Sequence, residues 1–70
     1  MDFHAFGNFV GADLSGLDLS GADLTGRDFS KAKLTKAVLT GADLQSATLV
    51  ESALTGADFT SAKLQNANLA

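Results

Sequence analysis

Residues 11–25 read GADLSGLDLSGADLT, with a leucine in the fourth place of each five-residue phrase, at 14, 19 and 24. Followed outward in both directions, the same place holds Leu or Phe at all thirteen positions from Phe9 to Leu69. Two residues before each stands a second, smaller set running from Gly7 to Ala67, in which nine of thirteen are alanine and the exceptions are Gly7, Leu17, Arg27 and Ser52. Self-similarity at a fixed period is the signature of a repeat architecture, so the period decides the fold.

A period of five fits neither regular element. On an α-helix, five residues advance by about 140° beyond a full turn, which scatters the leucines around the axis. On a straight strand an odd period sends successive leucines to opposite faces. The chain must therefore turn once per repeat. Within a phrase such as Ala12-Asp13-Leu14 the alanine and leucine are two apart, so a short extended segment points both inward and the aspartate outward. The remaining two residues make a corner. Its second residue is Gly at 11, 16, 21, 26, 41 and 56 and Asn at 66, residue types that tolerate the positive φ required at the third position of a type II turn. Lys31, Lys36, Ser46, Glu51 and Ser61 fill the other corners, where a different turn type is expected.

Three extended residues at about 3.3 Å each make a side of about 10 Å, and facing sheets also pack about 10 Å apart, so a square coil satisfies both lengths. Such a coil takes twenty residues, and residues twenty apart stack in parallel ladders. Inside run the columns Phe9/Phe29/Leu49/Leu69, Leu14/Leu34/Leu54, Leu19/Leu39/Phe59 and Leu24/Leu44/Leu64. Outside, Asp13/Lys33/Ala53, Asp23/Asp43/Lys63 and Gly11/Lys31/Glu51 mix charges that favour solubility more than stability. Thr35/Thr55, Thr40/Thr60 and Gln45/Gln65 form polar ladders able to hydrogen-bond along the axis.

The phrases GADLSG, GADLTG, GADLQS and GADFTS resemble the pentapeptide-repeat family, whose unit is A-(D/N)-L-x-x, and the resemblance covers residues 7–70. It implies an all-β fold: a right-handed quadrilateral parallel β-helix of about three coils. Residues 7–70 are assigned to this solenoid and residues 1–6 to a short aromatic N-terminal cap.

Both ends of a solenoid need covers. Phe3 and Phe6 are expected to fold over the first coil, with Leu17 fitting the same lid because no coil lies beneath it. Arg27 falls in an inward slot one coil above Gly7. An unpaired buried guanidinium costs several kcal/mol. Arg27 is therefore expected to run out through the N-terminal end in the room left at Gly7, toward Asp2 or exposed carbonyls; the alternative is a bulge at Gly26 that turns it outward. At the other end Leu64, Leu69 and Ala70 are expected to meet a second copy, the other reading being that the chain is a fragment of a longer solenoid.

Composition bounds the chemistry. With no cysteine there is no disulfide or thiolate site, and a net charge of −3 disfavours nucleic acid, whose phosphates call for a basic stripe. No apolar run approaches the length of a membrane span, so a cytoplasmic chain without membrane contact is expected. His4 is the only histidine. It and Asp2 lie outside the repeat, where a capping role outweighs catalysis. Asp23 and Asp43, stacked, lack the further oxygen ligands that a hard cation needs, and the corner glycines are not followed by the helix of a phosphate loop. No catalytic, metal or cofactor residue is expected. The chain reads as a non-catalytic structural or interaction module with an unidentified protein partner. The resemblance also implies an alternative: some family members mimic DNA and bind gyrase, a type II topoisomerase, through a long acidic face. Lys33 and Lys63 interrupt the acidic columns here.

Overall fold

The computed structural model describes residues 8–70. The expected cap, with Asp2, Phe3, His4 and Phe6, and the slot at Gly7 lie outside the described residues.

Parallel bridges join residues twenty apart: Asp13 to Lys33 and Lys33 to Ala53, Asp18 to Val38 and Val38 to Asp58, Asp23 to Asp43 and Asp43 to Lys63, and Asp28 to Thr48 and Thr48 to Asn68. The bridged residue is in each case the outward middle of a side. The sides of the coil are thus residues 12–14, 32–34 and 52–54 (first), 17–19, 37–39 and 57–59 (second), 22–24, 42–44 and 62–64 (third), and 27–29, 47–49 and 67–69 (fourth). Each is too short to pair beyond that one bridge.

The hydrogen bonds follow one pattern throughout. On the first side the Leu14 N–H donates up to the Lys33 carbonyl at 2.7 Å, and the Lys33 N–H donates down to the Ala12 carbonyl at 2.8 Å. The corner adds the Gly16 N–H to the Thr35 carbonyl at 2.9 Å and closes on itself through the Leu17 N–H to the Leu14 carbonyl at 3.2 Å. Between the layers the backbone groups are thereby paired from one coil to the next or within a corner, as burial demands.

The corners correct one expectation. Lys31, Lys36, Ser46, Glu51 and Ser61 do not adopt another turn type: their φ values are 62°, 61°, 63°, 59° and 61°, beside 68° to 73° at the glycines. They close with the same bond, as in Ala32 N–H to Phe29 C=O at 2.9 Å and Ala37 N–H to Leu34 C=O at 2.9 Å. The cause is the ladder. Lys31 stacks between Gly11 and Glu51, its N–H donating to the Val50 carbonyl at 2.9 Å as Gly11 donates to Ser30. The layers above and below impose one backbone path on whatever side chain occupies the corner, overriding a local preference of about 1–2 kcal/mol.

The core is the stack of inward slots. Leu24, Phe29, Leu34, Leu39 and Leu44 are fully buried, with Ala32, Ala37, Ala42 and Ala47 filling the narrow space beside them. Phe9 and Phe29 lie one above the other with ring centroids 5.1 Å apart and planes 10° from parallel. Each buried Leu or Phe contributes about 1.5–3 kcal/mol relative to exposure. Burial tapers along the axis: Leu54, Phe59 and Leu64 are only partly covered, and Leu69 is 52% exposed.

Candidate functional site

The outward residues divide into those that hold corners together and those that do not. In the first group are the aspartates. Asp13 Oδ1 accepts the Ser15 N–H at 3.1 Å, Asp18 that of Ser20 at 3.0 Å, Asp28 that of Ser30 at 2.9 Å, and Asp43 that of Gln45 at 3.1 Å. Asp58 caps Thr60, and Asn68 caps Ala70, in the same way. The N–H concerned belongs to the first corner residue, which neither the ladder nor the turn bond uses. A carboxylate or amide oxygen two residues earlier is the nearest acceptor, the geometry of an Asx turn. Lys33, Val38, Ala53 and Lys63 have no such acceptor to offer. The hydroxyls of Ser20, Ser30 and Thr60 turn back to the same carboxylates rather than along the axis. Hydrogen bonds from these hydroxyls and N–H groups hold the Asp18, Asp28 and Asp58 carboxyls below their ordinary range, and Ser15 does the same for Asp13.

The sequence reading set these aspartates outside but missed their work. The signal was present: Asp-Leu-Ser, Asp-Leu-Thr, Asp-Phe-Ser and Asp-Phe-Thr recur at 13, 18, 23, 28 and 58.

The cations are uneven. Lys31, Lys33 and Lys36 lie on the first side and its two flanking corners, and the Lys36 stem runs across the corner above, where its Cγ would meet a Cβ built on Gly56 at 3.3 Å. Asp23 and Asp43 are bridged neighbours on the third side. Among the described residues no group of three or more metal-capable side chains comes together, no cavity is enclosed, and no helix is long and apolar enough to cross a membrane.

At the N-terminal end, Arg27 has a regular backbone. Gly26 keeps φ at 71°, the Arg27 N–H reaches the Leu24 carbonyl at 3.1 Å, and the Arg27 carbonyl accepts from Thr48 at 2.9 Å. No bulge redirects the side chain; Arg27 is half-buried with its Nε enclosed. Leu17, on the opposite side of the same coil, is 38% exposed.

The C-terminal coil forms the opposite end of the described residues. Its layer repeats the pattern of every layer below, so the N–H groups of Leu54, Phe59, Leu64 and Leu69 and the carbonyls of Ser52, Ala57, Ala62 and Ala67 point up the axis. No described residue provides a backbone partner for them. Leu64 is half-buried, and Leu69 and Ala70 are exposed. Of the residues singled out in the sequence, these three converge on one edge, while Leu17 and Arg27 sit at the other end.

The model of the pentapeptide repeats family matches residues 8–45 and 37–70, in eight copies. Among solved structures, a pentapeptide repeat protein from the cyanobacterium Cyanothece 51142 is 34% identical with a TM-score of 0.86, the match covering 87% of this chain and 42% of that one. A pentapeptide repeat protein from Nostoc Pcc 7120 is 36% identical with a TM-score of 0.48, covering 86% of this chain and 58% of that one. The chain thus spans 42% of the first of these structures and 58% of the second. No curated protein matches it. The repeat, the twenty-residue ladder and the match along residues 8–70 make this chain a member of the pentapeptide-repeat family, with the right-handed β-helix of that family.

Proposed function

We propose that the chain is a non-catalytic interaction module of the cytoplasm, a four-sided solenoid of about three coils that associates with a second copy through its C-terminal coil and presents its sides to a protein partner. One observation carries this reading: the edge at Leu54, Phe59, Leu64 and Leu69, where backbone groups point outward beside partly exposed core side chains. An edge of that kind is a template for pairing with another chain. Most aspartates are engaged in capping corners, which gives the outward carboxylates a structural task. Leu17 and Arg27 belong to the lid of the opposite end. No cofactor, nucleic acid or membrane enters this reading.

The rival is mimicry of DNA toward gyrase. The solenoid extends 21 × 20 × 19 Å, a length matched by about six base pairs at 3.4 Å each, and Lys31, Lys33 and Lys36 gather on one side. Both features favour the interaction module. Two titrations separate the readings. Sedimentation of the 70-residue chain between micromolar and millimolar concentration should pass from monomer to dimer, and the chain should leave gyrase supercoiling unchanged. A persistent monomer would remove the self-association, and inhibition that disappears on reversing Asp18 and Asp58 to lysine would establish the mimic instead.

A further inference from the structure

On the first side two successive corners lack the cap that aspartate gives elsewhere, and the lysines gather at the same place. We propose that this side, with Lys31, Lys33 and Lys36, docks an acidic segment of a protein partner, whose carboxylates supply to the Thr35 and Thr55 N–H groups the caps that the repeat omits there. This rests on the reading of the sides as a partner surface, and it names the side and the chemistry it takes.

The column Asp13/Lys33/Ala53 loses its cap after the first layer. Asp13 Oδ1 accepts the Ser15 N–H at 3.1 Å. Lys33 and Ala53, bridged above it, offer no acceptor, so among the described residues the Thr35 and Thr55 N–H groups have no partner. The backbone repeats from layer to layer, with φ of 73°, 61° and 73° at Gly16, Lys36 and Gly56. These two N–H groups therefore point outward as that of Ser15 does, one about 4.8 Å above the other. On the other sides an open corner has a capped one beside it in its column: Thr40 lies between Ser20 and Thr60, Val50 between Ser30 and Ala70, and Gln65 above Gln45.

Charge marks the same side independently. Lys31, Lys33 and Lys36 are all exposed, and the Lys36 stem reaches the corner above, its Cγ 3.3 Å from a Cβ built on Gly56, the residue after Thr55. Asp13, already engaged by Ser15, and Glu51 are the acids of this side, so cations outnumber carboxylates there. The second side, by contrast, carries Asp18 and Asp58 with no cation, and the third Asp23 and Asp43 with Lys63 alone. On a chain whose net charge is −3, an approaching anion is thus admitted at the first side and turned away from the second and third.

Donors and cations together define the ligand. A carboxylate oxygen in front of Thr35 takes a charge-assisted bond from its N–H, as Asp13 takes one from Ser15 a layer below, with Lys33 two residues before and Lys36 directly after. A second carboxylate two residues along an extended segment starts about 6.6 Å away, a separation that side-chain rotation closes to the spacing of the two N–H groups. The patch is one side wide, about 10 Å, and Asp18 and Asp58 lie around its corner on the second side. A polynucleotide, whose phosphates run on beyond that width, meets those carboxylates; a short acidic stretch of polypeptide does not.

An NMR titration of the 70-residue chain tests the site, with a peptide of alternating aspartate and serine as the probe and its asparagine–serine counterpart and an oligothymidylate as comparisons. The aspartate peptide should shift the Thr35 and Thr55 amides in step and leave that of Thr40, open but beside Asp58, in place. Lys31→Ala and Lys36→Ala should each weaken binding about two- to fivefold. Lys33→Asp, which writes into the second layer the cap that Asp13 gives the first, should weaken it more than about tenfold and protect the Thr35 amide from exchange before any peptide is added. Equal shifts with the asparagine peptide, or larger ones with the oligothymidylate, would overturn the assignment to protein carboxylates. Shifts by the aspartate peptide confined to another side, or none at Thr35 and Thr55 at millimolar peptide, would overturn the site. The interaction module itself is decided separately, by the sedimentation and supercoiling titrations.

Discussion

The Asp18 carboxylate accepts two hydrogen bonds from Ser20, one from the N–H at 3.0 Å and one from the hydroxyl at 2.6 Å. The same pair of contacts joins Asp28 to Ser30 and Asp58 to Thr60. The aspartate of the repeat is thus a corner cap, and its ionisation is linked to folding.

For these groups the folded pKa is depressed, so their contribution to stability is fully present above the unfolded value of about 3.9 and is lost as pH falls through the folded value. The thermal midpoint should be level above about pH 5 and fall below about pH 4. In a chain with Asp18, Asp28 and Asp58 all changed to Asn, the amide oxygen keeps the N–H contact and that acid slope should flatten; changed to Ala, the midpoint should drop by several degrees at neutral pH. A slope unchanged in the Asn chain would separate the caps from the acid sensitivity.

Corner strain makes a second prediction. Lys31 and Ser46 hold φ near 60°, a conformation that costs a side chain about 1–2 kcal/mol, against about 0.5–1 kcal/mol of extra unfolded-state entropy for glycine. Lys31→Gly and Ser46→Gly should each stabilise by up to about 1 kcal/mol in denaturant unfolding. Gly16→Ala should destabilise by about 1–2 kcal/mol. Gly56→Ala should cost more than Gly16→Ala, because its new Cβ meets the Lys36 stem whereas nothing lies within 4 Å at Gly16.

Burial grades the core. Leu39→Ala, at a fully buried slot, should cost about 2–5 kcal/mol. Leu69→Ala, at the half-exposed end of its column, should cost below about 1 kcal/mol when measured at concentrations where the chain is monomeric.

The period of five made the inward and outward slots legible because no regular element tolerates it, and the core slots from Leu14 to Leu49 follow from that alone. The corner at Lys31 was not legible. Its residue type argues against positive φ, and the force that overrides it comes from Gly11 and Glu51, twenty residues away in either direction. The caps were hidden for a different reason: strand alternation already accounted for an outward Asp13, so nothing called for a second role. Arg27 was legible as a departure from the repeat, and the structure keeps its corner regular at Gly26, without the bulge that was the alternative.

Arg27 supplies a further test of the lid. The residue is half-buried with its Nε enclosed. Arg27→Ala should lower stability by about 1–3 kcal/mol and leave the monomer–dimer equilibrium unchanged. An unaltered midpoint would contradict a role at the N-terminal end.

Residue-resolved amide exchange, followed as the chain is concentrated, bears most directly on the claim that the C-terminal edge is where this protein acts. The Leu24, Leu34, Leu39 and Leu44 amides, bonded to the layer above, should exchange slowly at every concentration. Those of Leu54, Phe59, Leu64 and Leu69 should exchange rapidly in dilute solution and become protected together as the dimer forms, while the corner amides of Gly56, Ser61 and Asn66 stay fast. Protection of the four edge amides in the dilute monomer, or a dimer that leaves them fast, would contradict it.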